Sequence, residues 1–89
     1  MKITDIRIQI IKSPKTKLRA FATVILDESI VLRDLRIFES AKGNFVSMPS
    51  VKTQTGEWKE TVTIINTDLN DQISHYVLRA YTDELLKIS

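Results

Sequence analysis

Near the start of the chain, apolar and polar side chains take turns. Ile6, Ile8 and Ile10 share one parity, while Asp5, Arg7 and Gln9 take the other. A period of two marks a strand with one face buried. Ser13-Pro14-Lys15-Thr16 interrupts it as a polar turn, the proline ring presetting φ for a reversal. A second strand over about 18–27 puts Leu18, Ala20, Ala22, Val24 and Leu26 on one face, and Arg19, Phe21, Thr23 and Ile25 on the other. Bulky apolar groups on both faces of its later half predict that part of this strand is covered on both sides. After Asp27-Glu28-Ser29, a third strand over about 30–38 has Val31, Leu35 and Ile37 on one parity and Asp34 and Arg36 on the other, with Arg33 as an exception on the apolar parity. Ser40 to Asn44 reads as a turn, with Gly43 available for a positive φ. A short strand over 45–48 ends at Pro49, which has no N–H to give to a ladder. Residues 49–57 are polar and loop-like, and Trp58 to Ile65 return to extended, β-branched character.

At Asn66 the period changes. Asn66 or Thr67 is placed to cap a helix, and Asp68 and Asp71 sit in its first turns, where the helix dipole favours anions. No glycine or proline interrupts the chain from there to about Lys87. Leu69, Ile73, Tyr76, Val77 and Ala80 fall on one stripe at helical spacing, whereas Leu78, Leu85 and Leu86 fall off it. The expected fold is therefore α+β: a small antiparallel sheet of four to five strands within about residues 2–65, then one amphipathic C-terminal helix over about 67–87, all in a single domain of residues 1–89.

Length adds a constraint. A chain of 89 residues buries only about 60–65% of the surface that its unfolded form exposes. With no cysteine and one histidine, His75, neither a disulfide framework nor a zinc site of the usual kind can reinforce so thin a core. Self-association remains, and the off-stripe leucines suit it, so a homodimer is expected. No apolar run approaches the roughly 20 residues that span a bilayer, and the N-terminus has no signal-peptide stretch. The expected location is cytoplasmic, without membrane association.

The net charge of +2 says little, but its distribution says more. Residues 1–20 carry Lys2, Arg7, Lys12, Lys15, Lys17 and Arg19 against Asp5 alone, residues 21–56 balance, and residues 57–89 carry six acidic groups against Lys59, Arg79 and Lys87. Lys12, Lys15 and Lys17 around the first turn could neutralise phosphates, and doubling in a dimer would enlarge that footprint. Lysines at a sheet edge also serve simply to prevent aggregation.

No catalytic constellation competes with that reading. His75 lies beside the helical stripe with no partner motif and reads as a solvent-facing or rim histidine. Ser47 and Ser50 lack a nucleophile-elbow glycine pattern and read as turn residues. No enzyme activity, cofactor, metal site or small-molecule substrate is expected. Trp58 reads first as a core or interface residue and second as a base-stacking ring. Phe21, Phe38, Phe45, Tyr76 and Tyr81 are scattered in sequence and do not interleave with arginines. Asp34 with Arg33 and Arg36 reads as a structural ion pair in or near the sheet. Arg33 itself belongs at an edge or reaches toward a ligand.

An ordered series of short segments resembles the SpoVG (stage V sporulation protein G, or septation protein) family of bacteria. It comprises Ile3-Thr4-Asp5-Ile6-Arg7, Leu18-Arg19-Ala20, Ile30-Val31 with Asp34-Leu35-Arg36-Ile37, Phe45-Val46, Met48-Pro49-Ser50, Gly56-Glu57-Trp58, Ile65-Asn66, and Val77-Leu78 with Ala80-Tyr81. The resemblance implies a small, β-rich, cytoplasmic homodimer that regulates division, sporulation or gene expression, and it implies DNA and RNA binding. Three departures from the family's pattern stand out. Val51 stands where the first of two adjacent basic residues is usual, leaving Lys52; Thr63-Ile64 replaces His-Pro; Arg33 replaces histidine. Lys12, Lys15 and Lys17 from the charge map, with Arg36 and Lys52 from the resemblance, are the candidate nucleic-acid contacts. The alternative is a dimeric protein-interaction module of division or sporulation with no nucleic-acid affinity.

Overall fold

The computed structural model describes residues 1–88. Four strands form an antiparallel meander in chain order: β1 (Ile3–Ile10), β2 (Leu18–Leu26), β3 (Ile30–Ser40) and β4 (Gly43–Ser47). A separate two-stranded hairpin follows, β5 (Ser50–Lys52) and β6 (Trp58–Glu60), then a single helix, α1 (Thr67–Ile88). The expected α+β order is present, with the strands divided between two sheets. The expected loop of residues 49–57 contains β5, and the strand expected to run to Ile65 ends at Glu60. Beyond it the chain is irregular, yet Val62 and Ile64 still pack on the core while Ile65 is exposed.

One face of the meander is the core face. Ile6, Ile8 and Ile10 on β1 oppose Val24, Ala22 and Ala20 on β2, and Ala22 and Ala20 oppose Leu35 and Ile37 on β3. Against these lie Ile73, Val77 and Tyr81 of α1, buried at helical spacing. Ile73 and Val77 are fully buried, and removing such a side chain from water contributes about 1.5–3 kcal/mol. Tyr81, rather than the expected Tyr76, completes the stripe; Tyr76 is exposed. The helix starts where expected. Asn66 caps it, its Oδ1 accepting the Leu69 amide at 2.9 Å, which satisfies one of the donors that the first turn leaves open. Leu78 is half-buried, and Leu85, Leu86 and Ile88 are exposed at the far end.

Among the described residues, the helix leaves the other face of the meander open, and only the β5–β6 hairpin approaches it, at the β3–β4 end. Phe21, Thr23 and Ile25 are only half-buried there, so the expected double covering of β2 is not observed within one chain. Side chains reach this open face partly through a break in the β3 alternation. Val24 pairs with Leu32, but Ala22 pairs with Leu35, so three steps on β3 match two on β2. This is a β-bulge at Arg33 and Asp34, and Asp34 has a φ of 64°. The bulge corrects two expectations. Leu32, not Val31, is buried with Leu35 and Ile37, whereas Val31 is exposed. Arg33 is off-parity because the strand slips a residue there. No ion pair joins Asp34 to Arg33 or Arg36 among the described residues, and its positive φ, tolerated by aspartate better than by most side chains, is what it supplies.

Candidate functional site

The bulge aims Arg36 at the open face. Within β3 and β4, Arg36 opposes Ser47 and Phe38 opposes Phe45, and strand alternation sends all four to the side away from α1. Leu18 joins them, because β2 slips by one residue at Arg19 and brings Leu18 opposite Phe38. Phe38 and Phe45 stack with centroids 5.5 Å apart and planes 25° from parallel.

The β5–β6 hairpin folds back toward this surface at Met48-Pro49, both buried. It is held by the Thr61 amide donating to the Pro49 carbonyl at 2.8 Å and by the Thr61 hydroxyl donating to the same oxygen at 3.2 Å. Its loop closes tightly. The Thr53 amide donates to the Glu57 carbonyl at 2.7 Å, and Gly56 takes a φ of 89° that a side chain would resist. Across the hairpin Ser50 opposes Glu60, Val51 opposes Lys59, and Lys52 opposes Trp58. Ser50, Lys52, Trp58 and Glu60 thus share one face, and Val51 and Lys59 the other.

Arg36 ties sheet to hairpin. Its Nη1 donates to Ser50 Oγ at 3.2 Å and lies 3.5 Å from the Ser50 carbonyl. Its guanidinium carbon sits 5.6 Å from the Trp58 ring centre, a cation–π contact worth about 0.5–2 kcal/mol depending on solvent exposure. The expected carboxylate partner for Arg36 is absent among the described residues, and a hydroxyl and an indole take its place. Between sheet and hairpin lies an open depression of about 420 Å³ lined by Thr16, Leu18, Arg36 and Phe38, with Ser47, Ser50 and Trp58. Arg36 is the one charged side chain among the described residues that line it.

The candidate lysines are distributed unevenly around this depression. Lys15 and Lys17 flank Thr16 on the turn that forms one of its walls, and Lys17 is held at the sheet through its carbonyl, which accepts the Glu39 amide at 2.9 Å. Lys52 is cross-strand to Trp58 on the opposite wall. Lys12 lies earlier in the same turn. None of the four lysines is in the lining, and Lys17 lines a separate depression with Arg19, Glu39, Ser40 and Ala41, so Arg36 alone of the sequence-predicted set lines this one. Two other cations of the basic front segment are already engaged. Arg7 Nε is 3.2 Å from Asp5 Oδ2, and Arg19 Nε is 2.8 Å from Glu39 Oε2. Lys12, Lys15, Lys17 and Lys52 form no ion pair among the described residues.

Sequence reasoning missed the aromatic part of this site. Trp58 is 63% exposed and Phe45 49% exposed, so of the core or interface place first expected for Trp58, the core of the chain is not where it lies. The aromatics that look scattered in sequence meet because a tight hairpin returns β4 along β3 and a second hairpin folds over both. The shared parity of Arg36 and Phe38, and of Phe45 and Ser47, across a Gly43 turn is the signal that could have found them. His75 is exposed as expected, its ring 5.2 Å from that of Tyr76. Among the described residues no group of three or more His, Cys, Asp or Glu could hold a metal ion, and no helix is long and apolar enough to cross a membrane.

A family model described as SpoVG matches residues 1–83 of the chain. Among curated relatives, a protein of Staphylococcus haemolyticus (strain JCSC1435) named "Putative septation protein SpoVG" is 38% identical over 88 residues, covering 97% of this chain and 87% of the relative. Proteins of the same name from Staphylococcus epidermidis (strain ATCC 35984) and Staphylococcus aureus (strain NCTC 8325) are also 38% identical over 97% of this chain, covering 85% and 87% of their own lengths.

Proposed function

This chain belongs to the SpoVG family, and from that premise we propose that it is a non-enzymatic, cytoplasmic regulator that binds DNA or RNA as a homodimer and acts in septation or sporulation. The observation that carries the reading is a half-buried Arg36 in a depression on the sheet face that α1 leaves open, with Lys15 and Lys17 next in sequence to its Thr16 and Lys52 across the ladder from its Trp58. Unpaired lysines beside a half-buried arginine suit phosphate oxygens. The acidic helix lies on the opposite side of the sheet, so its charge does not oppose an anion there. The septation role comes from the names of the relatives.

Dimerisation draws support from the exposed Leu85, Leu86 and Ile88 at the end of α1, a patch away from the depression. Sedimentation at micromolar concentration should give about twice the 10.2 kDa chain mass; a monomer would remove this part of the reading. Nucleic-acid binding is tested by a salt series against mixed DNA and RNA pools. Each phosphate contact removed flattens the slope of log K against log salt by about 0.7–0.9, so Lys15→Ala with Lys17→Ala should flatten it by about 1.5 and weaken all sequences alike. Affinity undetectable even at low salt would leave the protein-interaction module as the better account, with the uncovered Ile25 and Val31, paired across β2 and β3, as its natural contact.

A further inference from the structure

We propose that β1 takes up an extended segment of another protein as a fifth strand of the meander, laid along its free edge beneath α1. This edge is at the far side of the sheet from the depression. β1 pairs only with β2, so one of its edges has no strand beside it. The ladder fixes which groups that edge presents. The Ile11 amide donates to the Arg19 carbonyl at 3.0 Å, and Gln9 and Arg7 stay in step with it, opposite Phe21 and Thr23. In an antiparallel pair alternate residues turn both backbone groups toward the partner, so Ile6, Ile8 and Ile10 turn theirs outward. The Ile6 amide bears out the phase, since it donates to Asp5 Oδ1 at 3.0 Å. Ile8 and Ile10 keep both groups open. Sheet edges are usually blunted by proline, lysine or short length, yet β1 runs for eight residues and contains neither residue type.

The side chains along this edge leave the core unfinished. Ala20, Ala22 and Val24 on β2 are at most 2% exposed, whereas Ile10, Ile8 and Ile6 opposite them are only half-buried. The helix reaches past them. Tyr76, Arg79, Ala80 and Asp83 of α1 meet the segment from Met1 to Ile6 across an open groove of about 660 Å³. A strand added at the usual spacing of about 4.8 Å lies under this overhang and covers the exposed flanks of the isoleucines. Only an extended backbone offers donors and acceptors at the period that the edge requires, which makes the ligand a peptide segment. Its side chains facing α1 are apolar, against Ile6, Ala80 and the Tyr76 ring. One of them is acidic, because Lys2 and Arg79 line the groove without an ion pair among the described residues, while Asp5 is already held by Arg7 and only Asp83 opposes them. A second copy of β1 fits poorly. Antiparallel pairing about a two-fold axis puts both helices on one face of the joined sheet, and two helices that each overhang the edge would claim the same space.

The probe is a capped octapeptide of alternating valine and threonine, with one central valine replaced by glutamate. Amide hydrogen exchange resolved by NMR reads the edge directly. With about nine-tenths of the protein bound, the Ile8 and Ile10 amides should exchange about tenfold more slowly, while the Arg7 and Gln9 amides, already in the ladder, should change less than twofold. Two control peptides are N-methylated on alternate amides, one at each parity. One should lose binding, because its methyl groups face β1, and the other should keep it. Arg79→Glu should weaken the probe by about 1.5–5-fold, the worth of an exposed ion pair, and should favour a peptide with lysine in place of the glutamate by a similar factor.

Binding that leaves Ile8 and Ile10 unprotected, or that survives in both methylated controls, would overturn the proposal, as would no binding at millimolar peptide. Ile8 and Ile10 amides as protected as that of Arg7 in the free protein would show that a second copy holds the edge, and would overturn it too. The wild-type exchange pattern does not depend on any variant folding. Nucleic-acid binding is read separately by its salt series, so either proposal can fail without the other.

Discussion

Valine at position 34 should leave the fold about 1–2 kcal/mol less stable than glycine there, the usual cost of forcing an L-residue into the left-handed region. Asp34 has a φ of 64° and an exposed side chain, so neither substitution disturbs packing and the backbone term stands alone. A β-branched residue is the least tolerant of that region. For a domain of this size, each kcal/mol moves the melting temperature by about 4–8 °C, so Asp34→Gly and Asp34→Val should melt about 4–16 °C apart, with aspartate between them. Thermal unfolding followed by circular dichroism measures this directly. Deleting Asp34 sharpens the test. It would leave one residue between Leu32 and Leu35, matching the single Thr23 between Ala22 and Val24, so both leucines stay in the core and the ladder becomes regular. Deleting Thr23 from β2 instead reverses the facing of half that strand and should abolish cooperative folding. Valine and glycine variants of equal stability, or a Thr23 deletion as stable as the Asp34 deletion, would refute the bulge as the device that orients β3.

Two further outcomes follow from the packing. Ile73→Ala should cost about 2–5 kcal/mol, because Ile73 is fully buried between α1 and the sheet; chemical denaturation should show the lower midpoint, and a loss under about 1 kcal/mol would mean that the helix docks loosely. Arg36→Ala should release the β5–β6 hairpin without melting the meander, since it removes the Ser50 hydrogen bond and the Trp58 contact together; hydrogen exchange should quicken across residues 50–60 while the β2 amides stay protected, and uniform exchange would count against it.

Much of the architecture is legible in hydrophobic periodicity because most of it is local. The alternation of Ile6, Ile8 and Ile10, the Ala20-to-Leu26 row and the Asn66 cap each encode an element within a few residues. The failures share a different origin. Strict alternation carried through Arg33 and Asp34 puts Val31 in the core, and a bulge is invisible to a period of two. Helical spacing admits both Tyr76 and Tyr81 to the buried stripe, and only the position of the sheet decides between them. Trp58 and Phe45 look separate from Arg36 because their meeting depends on two successive reversals, at Gly43 and at Met48-Pro49, that no single window contains.

The hairpin also changes what valine at position 51 means. Along the chain, valine in place of a basic residue beside Lys52 looks like half of a phosphate-binding pair removed. In three dimensions the two neighbours point to opposite faces of β5. Lys52 shares its face with Ser50 and Trp58, while Val51 opposes Lys59 on the other face. The face turned toward the depression therefore keeps its lysine, and the face without the usual cation still has one directly across the ladder. Charge counted by residue number overstates the deficit; counted by face, Lys52 lies on the same side of the hairpin as Ser50 and Trp58, which line the depression with Arg36.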